Sequence, residues 1–119
     1  MTLPIRLSAT GPAGWMAAAD EPLPTAKLLA GTPMGRDHAD FLRQDPPVRA
    51  GIWRSTPYVE AYDSYPCDEF MLILDGEVTL ESDGFSDTYR RGDAFILPKG
   101  FRGIWRQPVP VLKYYVLIG

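Results

Sequence analysis

The stretch Gly92–Trp105, GDAFILPKGFRGIW, decides how the rest of the chain is read. Ala94–Leu97 is a short apolar run with the composition of a strand. Pro98-Lys99-Gly100 stops it with a turn, and a second strand begins within three residues. The same device recurs upstream. Glu69–Ser82, EFMLILDGEVTLES, is two apolar runs joined by Asp75-Gly76. This dipeptide tolerates the backbone of a tight hairpin. Asp83-Gly84 repeats it before FSDTYR. AGIWRST, YVEAYDSY and VLKYYVLIG complete a series of strands of four to eight residues from Arg49 onward. No helix-length amphipathic segment interrupts them, so an antiparallel sandwich or barrel is expected over residues 49–119.

Residues 1–48 differ. They are rich in Pro, Gly and Ala, and only PTAKLLAG and HADFLRQ have the character of short strands or a turn of helix. Trp15, Leu28, Leu29 and Phe41 are apolar anchors with no purpose in a free tail. The segment is therefore read as an extended arm laid on the barrel. A length of 119 residues and 45% hydrophobic content suit one globular domain. A net charge of −3 gives no electrostatic reason to expect nucleic acid or an anionic membrane. No apolar run reaches the roughly 18–20 residues of a membrane span. The single cysteine, Cys67, has no internal partner, and MTLPIRLSATGPAGW lacks the apolar run of a secretion signal. Both point to the cytoplasm.

Two motifs carry a resemblance. The first is Glu69, six residues, then Gly76. The second is Gly92, five residues, then Pro98-Lys99-Gly100. Fifteen residues separate them. In this pattern the chain resembles a cupin of the small RmlC-like kind, which implies an all-β, double-stranded jelly-roll barrel. It is similar in particular to the cupin domain of ureidoglycine aminohydrolase, through Pro98–Gly100, Trp105 and Lys113–Tyr115. The resemblance also implies a metal site of three histidines and one glutamate. Only the glutamate is present, as Glu69. The paired histidine positions fall at about Tyr62 and Ser64, and the last falls at Gly103. The lone histidine, His38, lies in the arm. No metal-ligand set is assigned. A weakly held hard cation on Glu69, Asp63 or Asp68 with water stays open.

Alternation along the strand places Glu69 with Met71 and Ile73, on the face that the resemblance makes interior. A buried carboxylate needs a partner, and Tyr62, Tyr65, Arg102 and Arg106 are the candidates. The bland alternative is a solvated rim position. Trp105, on the same face as Gly103, is either a pocket wall or plain core, and Trp53 has the same two readings. The expected pocket residues are Trp53, Tyr62, Ser64, Glu69, Met71, Gly103 and Trp105, with Glu69 as the candidate catalytic group. Acidic neighbours make Cys67 a poor nucleophile. No paired-glutamate arrangement stands out. The reading favoured is a module binding a small metabolite in the barrel. The alternative implied by the resemblance is an enzyme acting on a ureido or related nitrogenous metabolite, with Glu69 as general acid or base. Phe70–Leu74 and Tyr114–Ile118 are apolar on both faces, which predicts a homodimer.

Overall fold

A computed structural model describes residues 2–119 and contains strands but no helix among them. Its eleven strands are β1 (Glu21–Pro22), β2 (Lys27–Gly31), β3 (Met34–Gln44), β4 (Pro47–Ser55), β5 (Tyr58–Tyr62), β6 (Asp68–Asp75), β7 (Glu77–Ser82), β8 (Phe85–Arg90), β9 (Ala94–Leu97), β10 (Gly103–Gln107) and β11 (Val111–Ile118). They form a six-stranded sheet, β1-β3-β4-β11-β6-β9, facing a five-stranded sheet, β2-β5-β10-β7-β8. Every pairing is antiparallel. This is a cupin-like jelly roll. Among the described residues no helix is long and apolar enough to cross a membrane.

The two Asp-Gly dipeptides do different work. Asp83-Gly84 closes a true hairpin, with Ser82 opposite Phe85 across β7 and β8. Asp75-Gly76, expected to do the same, instead turns a corner between sheets, because β6 and β7 do not pair. Gly76 has φ +86°, and a Cβ there would lie 2.0 Å from the Pro110 carbonyl oxygen. A positive φ and a close backbone approach thus coincide at the corner, and both select glycine. The dipeptide reports a sharp reversal without saying which sheet receives the next strand.

Residues 2–48 contribute strands as well as cover. β2 is the edge of the five-stranded sheet, and β1 and β3 extend the six-stranded one. Ahead of them, the chain lies on the outer face of β4 and β11. Arg54 donates to the carbonyls of Trp15 (2.6 Å) and Ala18 (2.7 Å), and its guanidinium stacks 4.7 Å from the Trp15 ring. Tyr114 donates to the Leu7 carbonyl at 3.0 Å. Trp15 is buried there, and Ile52 is fully enclosed.

The core fills one end of the space between the sheets. Met71, Ile73 and Val111 meet Val78, Leu80 and Trp105, with Phe95 and Leu97 beside them. Tyr89 stacks on Phe95 at 3.9 Å, joining edge strand β8 to edge strand β9 where the barrel would otherwise gape. The other end is polar, and the cavity lies there.

Candidate functional site

Period-two alternation sets the cavity walls. On β5, Tyr58, Glu60 and Tyr62 face inward, and Trp105 on β10 stands opposite Glu60 in register. On the other sheet, Trp53 of β4 and Lys113 of β11 are register partners, and Glu69 of β6 pairs with Leu117. Leu23, Pro24 and Pro33 also line the cavity, as do Asp37, Arg49 and Tyr115. The cavity has a volume of about 190 Å³ and is partly open to solvent.

Glu69 is buried and doubly engaged. Tyr65 donates its hydroxyl to Oε1 at 2.5 Å, and Lys113 Nζ donates to Oε2 at 2.8 Å. The Lys113 ammonium also lies 3.1 Å from Met71 Sδ, 4.5 Å from the Trp53 ring centre and 4.9 Å from that of Trp105. The two indoles are nearly perpendicular, so the cation meets both. Ion pairing and cation–π attraction together hold a charge that burial alone would expel. Neither arginine expected as a partner reaches Glu69. Arg106 pairs with Glu81 at 3.0 Å, and Arg102 is exposed.

A second buried carboxylate, Glu60, corrects the expectation that no glutamate pair occurs. Tyr62 donates to its Oε1 at 2.6 Å, and the Ala26 amide donates to Oε2. Tyr62 and Tyr65 meet edge to face at 4.8 Å, so the two glutamates are linked through two phenols. Arg49 pairs with Asp37 and donates to the Tyr115 hydroxyl at 3.0 Å.

Of the residues expected from sequence, Trp53, Tyr62, Glu69 and Trp105 line the cavity, and Met71 lies behind the Lys113 ammonium. Ser64 and Gly103 do not line it. β5 ends at Tyr62, so alternation does not carry through the bend that follows. Ser64 is exposed, and Tyr65 is turned inward by bonds from its N–H to Phe101 O (2.9 Å) and from Gly100 N–H to its carbonyl (2.8 Å). At Gly103, a Cβ would lie 2.1 Å from the Glu81 carbonyl oxygen and 2.5 Å from Phe101 Cζ. No side chain fits there without movement. Glu60 and Lys113 were missed, though each left a signal. Glu60 shares a face with Tyr58 and Tyr62 in YVEAY, and Lys113 is the one charge in the apolar run VLKYYVLI.

The donor set does not fit a metal ion. Among the described residues no three His, Cys, Asp or Glu side chains converge. Asp63 pairs with Lys27 at 3.5 Å, and Asp68 accepts the Lys99 amide at 2.8 Å, so neither joins Glu69. An ammonium on Glu69 would repel an incoming cation. His38 contacts Asp40 at 3.3 Å and does not line the cavity. Cys67 is buried, and burial followed by the Glu69 and Asp68 charges pushes its thiol up, so it stays protonated.

Burial also raises Tyr58, Tyr62 and Tyr65 far above the ordinary tyrosine range, with the nearby carboxylates adding to the shift. The folded barrel therefore holds protons that the unfolded chain releases near pH 10. Stability from these groups is intact below that pH and falls as pH rises beyond it. Tyrosinate absorbance of the buried set is expected to appear in one step with loss of the folded circular dichroism signal. Ionisation of these three while the barrel remains folded would contradict the burial argument.

The sequence profile of the EutQ-like cupin domain matches residues 42–115. The chain belongs to this cupin family. Among solved structures, it is similar to a protein of unknown function of the DUF861 family from Pseudomonas syringae pv. tomato, with 26% identity and TM-score 0.75. That likeness covers 84% of this chain and 44% of the other, so this cupin spans less than half the length of that protein. A DUF861 family protein from Thermotoga maritima is 32% identical over 54% of this chain and 73% of its own, with TM-score 0.50. A putative ethanolamine utilization protein Q from Salmonella typhimurium shares the fold at 22% identity and TM-score 0.60, over 74% of this chain and 70% of its own. No curated protein matches this cupin.

Proposed function

We propose that this cupin is a binding module that takes a small metabolite into its barrel, with the Glu69–Lys113 ion pair standing where related barrels would hold a metal. The observation that carries the reading is the concave cavity with Trp53, Trp105 and four tyrosines on its walls and charged groups converging on it. A concave, aromatic-lined pocket with a few oriented polar groups is the usual form of a ligand site. Small soluble metabolites are the expected ligands. A panel of such compounds can be screened by NMR, reading the indole N–H signals of Trp53 and Trp105. At least one compound is expected to move both signals and leave Trp15, on the outer face, unmoved. A panel that moves neither would end the binding-module reading.

The finer kinship to ureidoglycine aminohydrolase rests on Pro98–Gly100, Trp105 and Lys113–Tyr115 alone. Its enzymatic consequence, Glu69 as general acid or base toward a ureido compound, needs that carboxylate within hydrogen-bond reach of substrate. Both its oxygens already have partners, so binding without catalysis is the reading preferred.

The same proposal includes a homodimer and no stoichiometric transition metal. In support of the dimer, Phe70 and Ile96 are cross-strand neighbours on the outer face of β6 and β9, 41% and 64% exposed. The arm covers β4 and β11 and leaves this half open, and a second copy is the occupant proposed. Native mass spectrometry of protein purified without chelators reads both points. The expected species is two chains of 13.2 kDa with no metal. A single-chain mass would refute the dimer. One equivalent of manganese, iron, nickel or zinc per chain, lost on Glu69→Gln, would refute the metal-free site.

A further inference from the structure

The charges facing the cavity do not balance. Asp37, Glu60 and Glu69 are matched by only Arg49 and Lys113. Both cations are already committed, Arg49 to Asp37 and Lys113 to Glu69. Glu60 is 3% exposed, and its two contacts come from neutral donors, the Ala26 amide and the Tyr62 hydroxyl. Among the described residues no lysine, arginine or histidine lies in ion-pair reach of it. A carboxylate has about four acceptor positions, so two neutral donors leave capacity unused. A buried carboxylate without a cation is costly unless something supplies one.

We infer that Glu60 is the subsite for a positively charged nitrogen, and that the ligand of this barrel is a small organic ammonium compound. The inference rests on the binding-module reading and adds the ligand's chemical class. Glu69 is unsuited to the role, because Lys113 already neutralises it. Tyr58 and Tyr62 flank Glu60 on its own strand, and Trp105 stands across from it. Aromatic walls of this kind attract an alkylammonium through their ring faces and pack its carbon chain. The Glu60 contact with Ala26 also ties the subsite to the Leu23–Lys27 segment, whose Leu23 and Pro24 line the cavity.

The competing account makes Glu60 a strut that only holds this segment. Three probes of like size and different charge separate the accounts: n-propylammonium, 1-propanol and propionate, each titrated by NMR on the Trp53 and Trp105 indole signals. Propylammonium is expected to bind more tightly than propanol, and propionate not at all. Glu60→Gln keeps the carbonyl acceptor and removes the charge. It is expected to weaken propylammonium about tenfold or more and to weaken propanol by much less. Tyr62→Phe removes a neutral donor and keeps the charge, so propylammonium binding is expected to be retained or strengthened. Melting curves confirm that both variants fold. Propylammonium binding no tighter than propanol, or undiminished in folded Glu60→Gln, overturns the inference. Propionate as the preferred probe overturns it too while leaving the binding-module reading intact. Silence from all three probes overturns it, and the metabolite panel then decides the fate of the parent reading separately.

Discussion

Replacing Lys113 with methionine is expected to lower the stability of the fold by about 3–5 kcal/mol, the usual cost of removing one partner from a buried ion pair. For a domain of this size the melting temperature should fall by roughly 10–20 °C. Methionine fills much of the same volume, so little of the loss comes from a cavity. It comes from Glu69, whose charge remains buried with only the Tyr65 hydroxyl to stabilise it. The indole faces of Trp53 and Trp105 lose their cation as well. The double variant Lys113→Met, Glu69→Gln removes both charges and is expected to recover most of the loss, since neutral packing often equals a buried ion pair in stability. Equilibrium denaturation of the two variants makes the comparison. A single variant within about 1 kcal/mol of the parent would mean that the pair contributes no such constraint.

The second large effect is expected at Gln107. This side chain is 1% exposed and serves both ends of a buried network. Its amide nitrogen donates toward the Ser55 hydroxyl (3.0 Å) and the carbonyls of Ser55 (3.2 Å), Thr56 (3.2 Å) and Val109 (3.0 Å). Its oxygen accepts the Trp105 indole N–H at 3.1 Å. Two amide hydrogens serve four acceptors, so the bonds are shared. Gln107→Leu keeps the bulk, strands the indole N–H and removes the side-chain donor shared by the Ser55, Thr56 and Val109 carbonyls. At about 1–3 kcal/mol per buried unsatisfied group, the loss should be about 3 kcal/mol or more. The midpoint in urea should fall with an unchanged m value. A loss below about 1 kcal/mol would show that water or backbone movement satisfies the orphaned groups.

Architecture was legible in the sequence because turns and alternation are local signals. The Pro98-Lys99-Gly100 turn bonds Phe101 N–H to the Pro98 carbonyl, with Gly100 at φ +90°, the positive φ that favours glycine at the third position of a turn. Strand destination was not legible, and Asp75-Gly76 shows why: the same backbone reversal serves a hairpin or a corner. The site was legible where a residue sat inside a strand. Glu69 and Trp105 follow from parity, while Trp53 kept two readings. It failed at Ser64, where the strand had already ended and tertiary bonds from the Pro98–Phe101 turn chose Tyr65 instead. The partner of Glu69 failed for a different reason. Lys113 is 44 positions away in sequence, and no local pattern reports a pairing set by sheet order.

That sheet order also fixes when the molecule can assemble. β11, the last strand of the barrel in chain order, lies between β4 and β6 in the middle of its sheet. Until residues as far as Ile118 leave the ribosome, at some 5–20 residues per second, β4 and β6 each present a strand edge with nothing beside it. A closing strand that arrives last imposes large loop closures, since β4 must meet a segment about sixty positions downstream. Folding should therefore be slow for the length of the chain and begin only after synthesis of the barrel is complete. Nascent chains lacking β11 are the species that a cell's holding chaperones would be expected to meet.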